Sequence, residues 1–367
     1  MFTGTHLRPE VALALFYDVA AVLAVATAVI LAWVLWRRRG SGPASTYNSA
    51  DRHQRSRGWL RAGLGVLWLL DGILQAQPSL VTRFVGGFLA PLVVGQPGPI
   101  AAVIEFGAKV WGASPPIFNA VATFIQIGMG LGLLLSRTRS GQQLALWGSL
   151  AWAIVVWVVG EGFGGLFAGG GWFTGAPGSV LLYAGGAALL LMPEDWWRTA
   201  KAGLWMRGGI AAAFLSALIV QALPGFGWWG PALPGYVQSM AEMPQPQPFS
   251  APLYETARLL TLSTTSANAA IVLGLALCAA TFIFWPQNRA LFWFSIVWTF
   301  LGWWLGQDFG VLGGMGTDPN LGAILLVAIF VYGDRAGLVM LPHRRASARN
   351  NAALHNHPES TLGDDLS

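Results

Sequence analysis

Residues 59–78 read WLRAGLGVLWLLDGILQAQP, and residues 205–224 read WMRGGIAAAFLSALIVQALP. Each opens on Trp-x-Arg-x-Gly, runs through an apolar stretch and closes on Gln-Ala-x-Pro. Trp59, Arg61, Gly63, Gln75 and Pro78 therefore meet Trp205, Arg207, Gly209, Gln221 and Pro224 at a constant offset of 146. About 20 apolar residues cross the roughly 30 Å hydrocarbon core of a bilayer. The pair thus predicts a membrane-spanning helix and a duplication of the chain around it.

The correspondence continues outward from these stretches. Gln96-Pro97-x-Pro99 matches Gln245-Pro246-x-Pro248, and Asn119-Ala120 matches Asn268-Ala269, both at an offset of 149. Trp147, Trp152, Trp157, Gly160, Phe163 and Gly164 return to 146 and meet Trp293, Trp298, Trp303, Gly306, Phe309 and Gly310. Spanning helices are expected near 11–36, 60–77, 117–136, 144–166, 177–193, 207–223, 267–285, 290–312 and 320–340. Four fall in each unit, an even number, so the two units share one orientation and their pseudo-twofold axis runs along the membrane normal. The expected fold is an all-α polytopic membrane helix bundle of about nine transmembrane helices. An N-terminal anchor helix lies within 1–40 and a cytoplasmic linker in 41–58. Parallel four-helix repeats follow in 59–200 and 201–342, then a disordered cytoplasmic tail in 343–367.

The composition agrees: of 367 residues, 54% are hydrophobic and 10% charged, against about 25% charged in soluble domains. A water-soluble enzyme is excluded. A net charge of +5 would ordinarily raise nucleic acid as a partner. The placement of the 21 Lys and Arg says otherwise. With the N-terminus outside and the C-terminus cytoplasmic, all but Arg8, Arg83, Lys109 and Arg258 fall in cytoplasmic segments, as the positive-inside rule requires. The basic excess is thus orientation in a bacterial plasma membrane; the lipid bilayer is the first partner and no nucleic acid is expected. Cys278 is the only cysteine, and His6, His53, His343, His355 and His357 all lie outside the apolar stretches. No intramembrane His or Cys cluster can hold haem, copper or an iron–sulfur centre, and no metal site is expected.

The densest local feature closes the third helix of each unit: Trp157-x-x-Gly160-Glu161-Gly162-Phe163-Gly164, then Thr174-Gly175-Ala176-Pro177, against Trp303-x-x-Gly306-Gln307-Asp308-Phe309-Gly310, then Thr317-Asp318-Pro319-Asn320. On a continuing helix Trp157, Gly160, Glu161 and Gly164 would share one face, as would Trp303, Gly306, Gln307 and Gly310, making G-x-x-x-G packing seams. The same seams could form a polar pocket at the outer mouth, with Glu161 roughly 25 Å from the cytoplasmic helix end. Asp71 falls roughly 15 Å deep. An ionised Asp there costs about 2.5–3.5 kcal/mol on insertion scales, so it should face the bundle interior, pair or stay protonated. Gln75 lies one turn further out and is duplicated as Gln221. Candidate binding residues are therefore Asp71, Gln75, Gln221, Glu161, Gln307, Asp308, Trp157 and Trp303. The outer loops 79–116 and 224–266 should carry surface helices around Glu105–Lys109 and Glu255–Arg258. Phe226, Trp228, Trp229 and Tyr236 should sit at the headgroup belt.

Arg61-Ala-Gly63-Leu-Gly65 followed by Asp71-Gly72, and Gly128-Met-Gly130-Leu-Gly132 ending in Arg137-Thr-Arg139, resemble the four-helix DoxX/DoxD-like membrane family. The second unit keeps Arg207 and Gly209 but replaces Arg137 and Arg139. The Thr317-Asp318-Pro319-Asn320 ending also resembles duplicated actinobacterial membrane proteins of unassigned function. The resemblance implies a four-helix membrane module, some members of which accompany quinone-linked redox complexes, and it transfers no catalytic residue. No catalytic constellation is legible, so the chain reads as a non-catalytic membrane subunit rather than an enzyme. Two classes follow. One is an accessory redox or assembly subunit binding a quinone-sized apolar molecule or a partner protein near the outer leaflet. The other is a small-solute transporter with Asp71 and Glu161 on its path.

Overall fold

The computed structural model describes residues 8, 10–19, 21–23, 25, 52–310 and 316–339. The second half of the first expected helix with Arg37–Arg39, most of the linker 41–58 and the tail 343–367 lie outside the described residues. From Arg52 onward the helices of ten residues or more are α1 (Arg52–Gln75), α2 (Gly98–Ala113), α3 (Pro115–Leu135), α4 (Arg139–Val155), α5 (Ser179–Leu191), α6 (Lys201–Ala222), α7 (Ala232–Ala241), α8 (Gln247–Leu262), α9 (Thr264–Phe284), α10 (Arg289–Leu305) and α11 (Asn320–Ala336). No strand occurs among the described residues.

Local chemistry sets the helix ends. Prolines occupy the first helical turn of α2, α3 and α8, where the missing N–H has no intrahelical partner to lose. Thr138 and Asn288 accept the Gly141 and Leu291 amides and so cap α4 and α10. Gly337, left-handed at φ 76°, closes α11.

α3, α4 with its continuation to Gly160, α6 and α9 are long and apolar enough to cross a membrane; α1 with Pro78–Leu92, bent by 66°, makes a fifth. The chain is thus a helical protein with four to five candidate spans among the described residues. At 1.5 Å per residue, the 13-residue α5 reaches only about 20 Å, and the 17-residue α10 and α11 about 26 Å. All three fall short of the roughly 30 Å core.

α1 packs on α3 through glycine: a Cβ at Gly130 would stand 2.8 Å from the Gly65 carbonyl. Such backbone approach is how apolar helices associate where lipid offers no hydrophobic drive. α11 packs on α1 and α5, and α6 on α5 and α11, so the two halves share one core. At the far end of these helices Asp334 accepts from Arg55 (2.6 and 3.1 Å) and Ser56 (2.9 Å), joining the start of α1 to the end of α11.

The surface helices of the outer loops are longer than the charge pairs alone suggested, 16 residues each in α2 and α8. Glu255 pairs with Arg258 at 2.5 Å, whereas no ion pair joins Glu105 and Lys109 among the described residues. Trp228 departs from its expected place at the headgroup belt. It is 3% exposed and donates to the Gly170 carbonyl at 3.1 Å, because the bare Cα of Gly171 leaves room for its ring.

Candidate functional site

Both G-x-x-x-G seams end differently from the helical expectation. α4 widens into a π turn over Val156–Gly160, closed by the Glu161 amide on the Val156 carbonyl at 2.8 Å. Gly162, Phe163, Gly164 and Gly165 then take φ of 54°, 60°, 63° and 72°. Consecutive left-handed residues cannot continue a right-handed helix, so Gly164 lies beyond the helix rather than on its face. α10 ends the same way: the Gln307 amide reaches the Gly302 carbonyl at 3.0 Å, and Asp308, Phe309 and Gly310 follow at 49°, 55° and 73°. Gly164 is required here, since a Cβ on it would stand 1.9 Å from the Pro177 carbonyl oxygen.

Each turn is fastened by its tryptophan. Trp157 donates to the Pro177 carbonyl at 2.9 Å and Trp303 to that of Pro319 at 2.6 Å. Their rings meet Phe163 and Phe309 edge-on at 5.0 and 4.8 Å. Both tryptophans therefore hold loop to helix.

The amides also have assigned partners. Gln75 donates to Asn119 Oδ1 at 2.6 Å, and Asn119 donates back to the Gln75 carbonyl at 2.8 Å. Gln221 and Asn268 repeat the exchange at 2.7 and 3.3 Å. Gln221 Oε1 also accepts the Trp172 amide at 2.8 Å, while Gln307 donates to the Trp172 carbonyl at 2.9 Å and accepts from Gly322 at 3.0 Å. Both polar groups of one peptide residue, Trp172, are thus held by side chains of the second half. Asp308 accepts from Gln245 at 2.9 Å through Oδ2, and its other oxygen is buried without a partner among the described residues. Burial pushes its carboxyl up to about 6.

Glu161, just past the end of its spanning segment, turns back onto the first turn of α5. Its Oε1 accepts from the Ser179 hydroxyl at 2.7 Å and from the Ser179 and Val180 amides at 3.0 and 3.3 Å. These amides are otherwise unpaired helix donors, and the helix N-terminus favours a negative group. Oε2 is buried and has no partner among the described residues. The Ser179 hydroxyl also lies 3.2 Å from Asp318 Oδ1, which takes the Asn320 amide at 2.5 Å. Burial, then the nearby Asp318 charge, push Glu161 up to about 8 against the pull of its hydrogen bonds. Burial likewise raises Asp318 above the usual carboxylate range. One turn into α5, the Tyr183 hydroxyl donates to Asp71 Oδ1 at 3.4 Å, with Asp71 only 1% exposed.

A cleft of about 360 Å³ opens beside this pair. Phe88, Pro91, Leu92 and Val94 give it an apolar lining. Glycines 164, 165, 169, 170, 175 and 178 also line it, and Gln96, Glu161, Thr174, Thr317, Asp318 and Asn320 supply its polarity. Of the eight residues singled out in the sequence only Glu161 lines it. Asp318, Ser179 and Gln96 were missed; the available signal for Asp318 was a lone acid beside proline in a charge-poor loop. Among the described residues no group of three His, Cys, Asp or Glu could hold a metal. No family model, curated protein or solved structure matches the chain.

Proposed function

We propose that the chain is a multi-pass bacterial plasma-membrane protein whose cleft at Glu161 and Asp318 is an outward-facing site for a small molecule or partner protein. In this reading nine crossings, with the N-terminus outside, comprise an anchor helix and two parallel DoxX-like repeats, the bilayer thinning locally around the short α5, α10 and α11. The protein serves as a non-catalytic accessory subunit of a quinone-linked redox complex. The duplication is supported by matched bonds at matched positions: Gln75–Asn119 with Gln221–Asn268, and Trp157–Pro177 with Trp303–Pro319. A bilayer partner is supported by large apolar side chains standing exposed on the spanning helices, among them Leu144, Trp205, Ile219 and Leu273.

The observation that carries the site is a half-buried carboxyl, Glu161, held by three donors on one oxygen beside a cleft lined by apolar side chains and bare glycine backbone. Such a cleft suits an apolar ring bearing a hydrogen-bonding oxygen, the chemistry of a quinone. Transport is the weaker reading, because Asp71 and Tyr183 do not line the cleft. The test is purification with native lipid and mass spectrometry of what remains bound. Wild-type protein is expected to retain a small molecule that Ala168→Trp, a bulky ring placed at a residue lining the cleft, loses. Equal retention by the two, or none by wild type, would sink the proposal.

A further inference from the structure

The Ser179 hydroxyl carries one hydrogen, yet carboxyl oxygens stand on both sides of it, Glu161 Oε1 at 2.7 Å and Asp318 Oδ1 at 3.2 Å. It can donate to only one of them. The other must bring a proton to the Ser179 lone pair, or two sets of lone pairs face each other. The nearby backbone donors are already engaged: the Ser179 and Val180 amides on Glu161 Oε1 and the Asn320 amide on Asp318 Oδ1. With three donors on Oε1, a proton held by Glu161 sits on Oε2, the buried oxygen without a partner.

The groups facing the pair supply no compensating charge. From α1 and α5, Asp71 and Tyr183 lie within electrostatic reach of both Glu161 and Asp318. Among the described residues no Lys, Arg or His lines the cleft, and none donates to these oxygens in the bonds above. Three carboxyls gathered without a base in a low-dielectric interior cannot all ionise cheaply. The arrangement has a direction, because Glu161 and Asp318 line the cleft whereas Asp71 and Tyr183 are enclosed.

We propose that Glu161, Ser179 and Asp318 form a proton-binding site that holds one exchangeable proton, entered from the cleft, with Tyr183 and Asp71 as its closed inner end. The proton passes between carboxyl oxygen and cleft water, and no other bond changes. When it sits on Asp318 Oδ1 it donates to the Ser179 oxygen, both Ser179 contacts are satisfied and the 161–178 segment is tied to the 316–320 segment; on Glu161 Oε2 it neutralises the pair without that bridge. When it leaves, two carboxylates face one hydroxyl and the tie weakens. The site deepens the proposed function and rests on its outward reading only for the side of entry.

Infrared spectroscopy of the full-length protein in lipid tests this, in an Asp71→Asn, Asp308→Asn background so that, of the buried carboxyls described above, the pair alone reports. The expected result is a protonated-carboxyl C=O band at neutral pH that shifts in heavy water and disappears in alkali. Glu161→Gln or Asp318→Asn should each lower the midpoint of the acid that remains, since the like charge holding its proton is gone. Absence of the neutral-pH band, or a midpoint in Asp318→Asn equal to that of its parent, overturns the shared proton. Ser179→Ala keeps both acids and is expected to move the band frequency while retaining the band; an unmoved frequency overturns the bridging role. In oriented vesicles the band should follow external pH. A band following internal pH overturns entry from the cleft and the outward reading together, whereas a failure to recover a bound molecule touches the proposed function alone. Circular dichroism and gel filtration confirm that each variant is folded.

Discussion

Replacing Gln307 by Leu leaves the side-chain volume nearly unchanged and removes two hydrogen bonds at once, one to the Trp172 carbonyl and one from the Gly322 amide. Gln307 is 2% exposed, so neither backbone group gains water in exchange. By soluble-protein accounting, each orphaned group costs about 1–3 kcal/mol. In a membrane the unfolded reference also finds partners, and such bonds average about 0.6 kcal/mol and reach about 1.7. The expected loss is therefore about 1–4 kcal/mol, since Gln307 stands just beyond the end of α10. Gln221→Leu releases the amide of the same Trp172 along with Asn268 Oδ1. Because one peptide residue is held from both sides, loosening either anchor leaves the other less to hold. The double variant should thus lose less than the sum of the singles, with a coupling of about 0.5–3 kcal/mol. Reversible unfolding in mixed micelles measures all three, with Glu255→Gln, in the exposed pair with Arg258, as a control expected to stay near wild type. Strict additivity, or a Gln307→Leu loss no larger than the control, would refute the view that these amides anchor the loop.

Gly178→Ala should destabilise by at least about 1–2 kcal/mol, from the left-handed backbone alone at φ 104°. Its Cβ would also stand 2.2 Å from Glu161 Oε2, so an unchanged melting temperature contradicts the geometry. Glu161, raised to about 8, keeps its proton in the folded protein where an unfolded carboxyl near its ordinary value has lost it. The folded state therefore binds more protons between those values. This stability is fully present below the ordinary carboxyl range and is lost as pH rises through about 8. Thermal unfolding across that range should show the decline, and Glu161→Gln should flatten it; an equal slope in the variant removes Glu161 as the cause. Asp71→Asn should keep or raise stability, because an ionised Asp in the bilayer costs about 2.5–3.5 kcal/mol. A variant that unfolds would show that the carboxyl itself is needed.

Much of the architecture was legible one segment at a time. α3, α6 and α9 were expected near 117–136, 207–223 and 267–285 and lie at Pro115–Leu135, Lys201–Ala222 and Thr264–Phe284. Apolar length is a property of consecutive residues and needs no partner to read. The glycines at 65 and 130, to which only the family resemblance pointed, bring α1 and α3 together. The candidate site was legible in part. Glu161 was found because a carboxylate among glycines at a helix end is conspicuous. Gln221 and Gln307 looked alike in the sequence and both proved to be anchors of Trp172, a residue to which no periodicity points. The expected helix face through Gly160 and Gly164 failed because spacing cannot reveal a change of backbone handedness.

By itself, then, the sequence determined that this chain is helical, apolar enough to cross a membrane several times, and rich in paired motifs, since each of these is written in neighbouring residues. Only the tertiary structure decided that Asp318 meets Ser179 from 139 positions away, and through it Glu161. That meeting depends on left-handed turns ending α4 and preceding α11, where Phe163 and Asn320 sit at φ 60° and 63°. The turns persist because the surrounding packing holds them, with Trp157 on Pro177 and Trp303 on Pro319. Conformations that local preference disfavours are held by long-range contacts, and no local reading of residues could have supplied them.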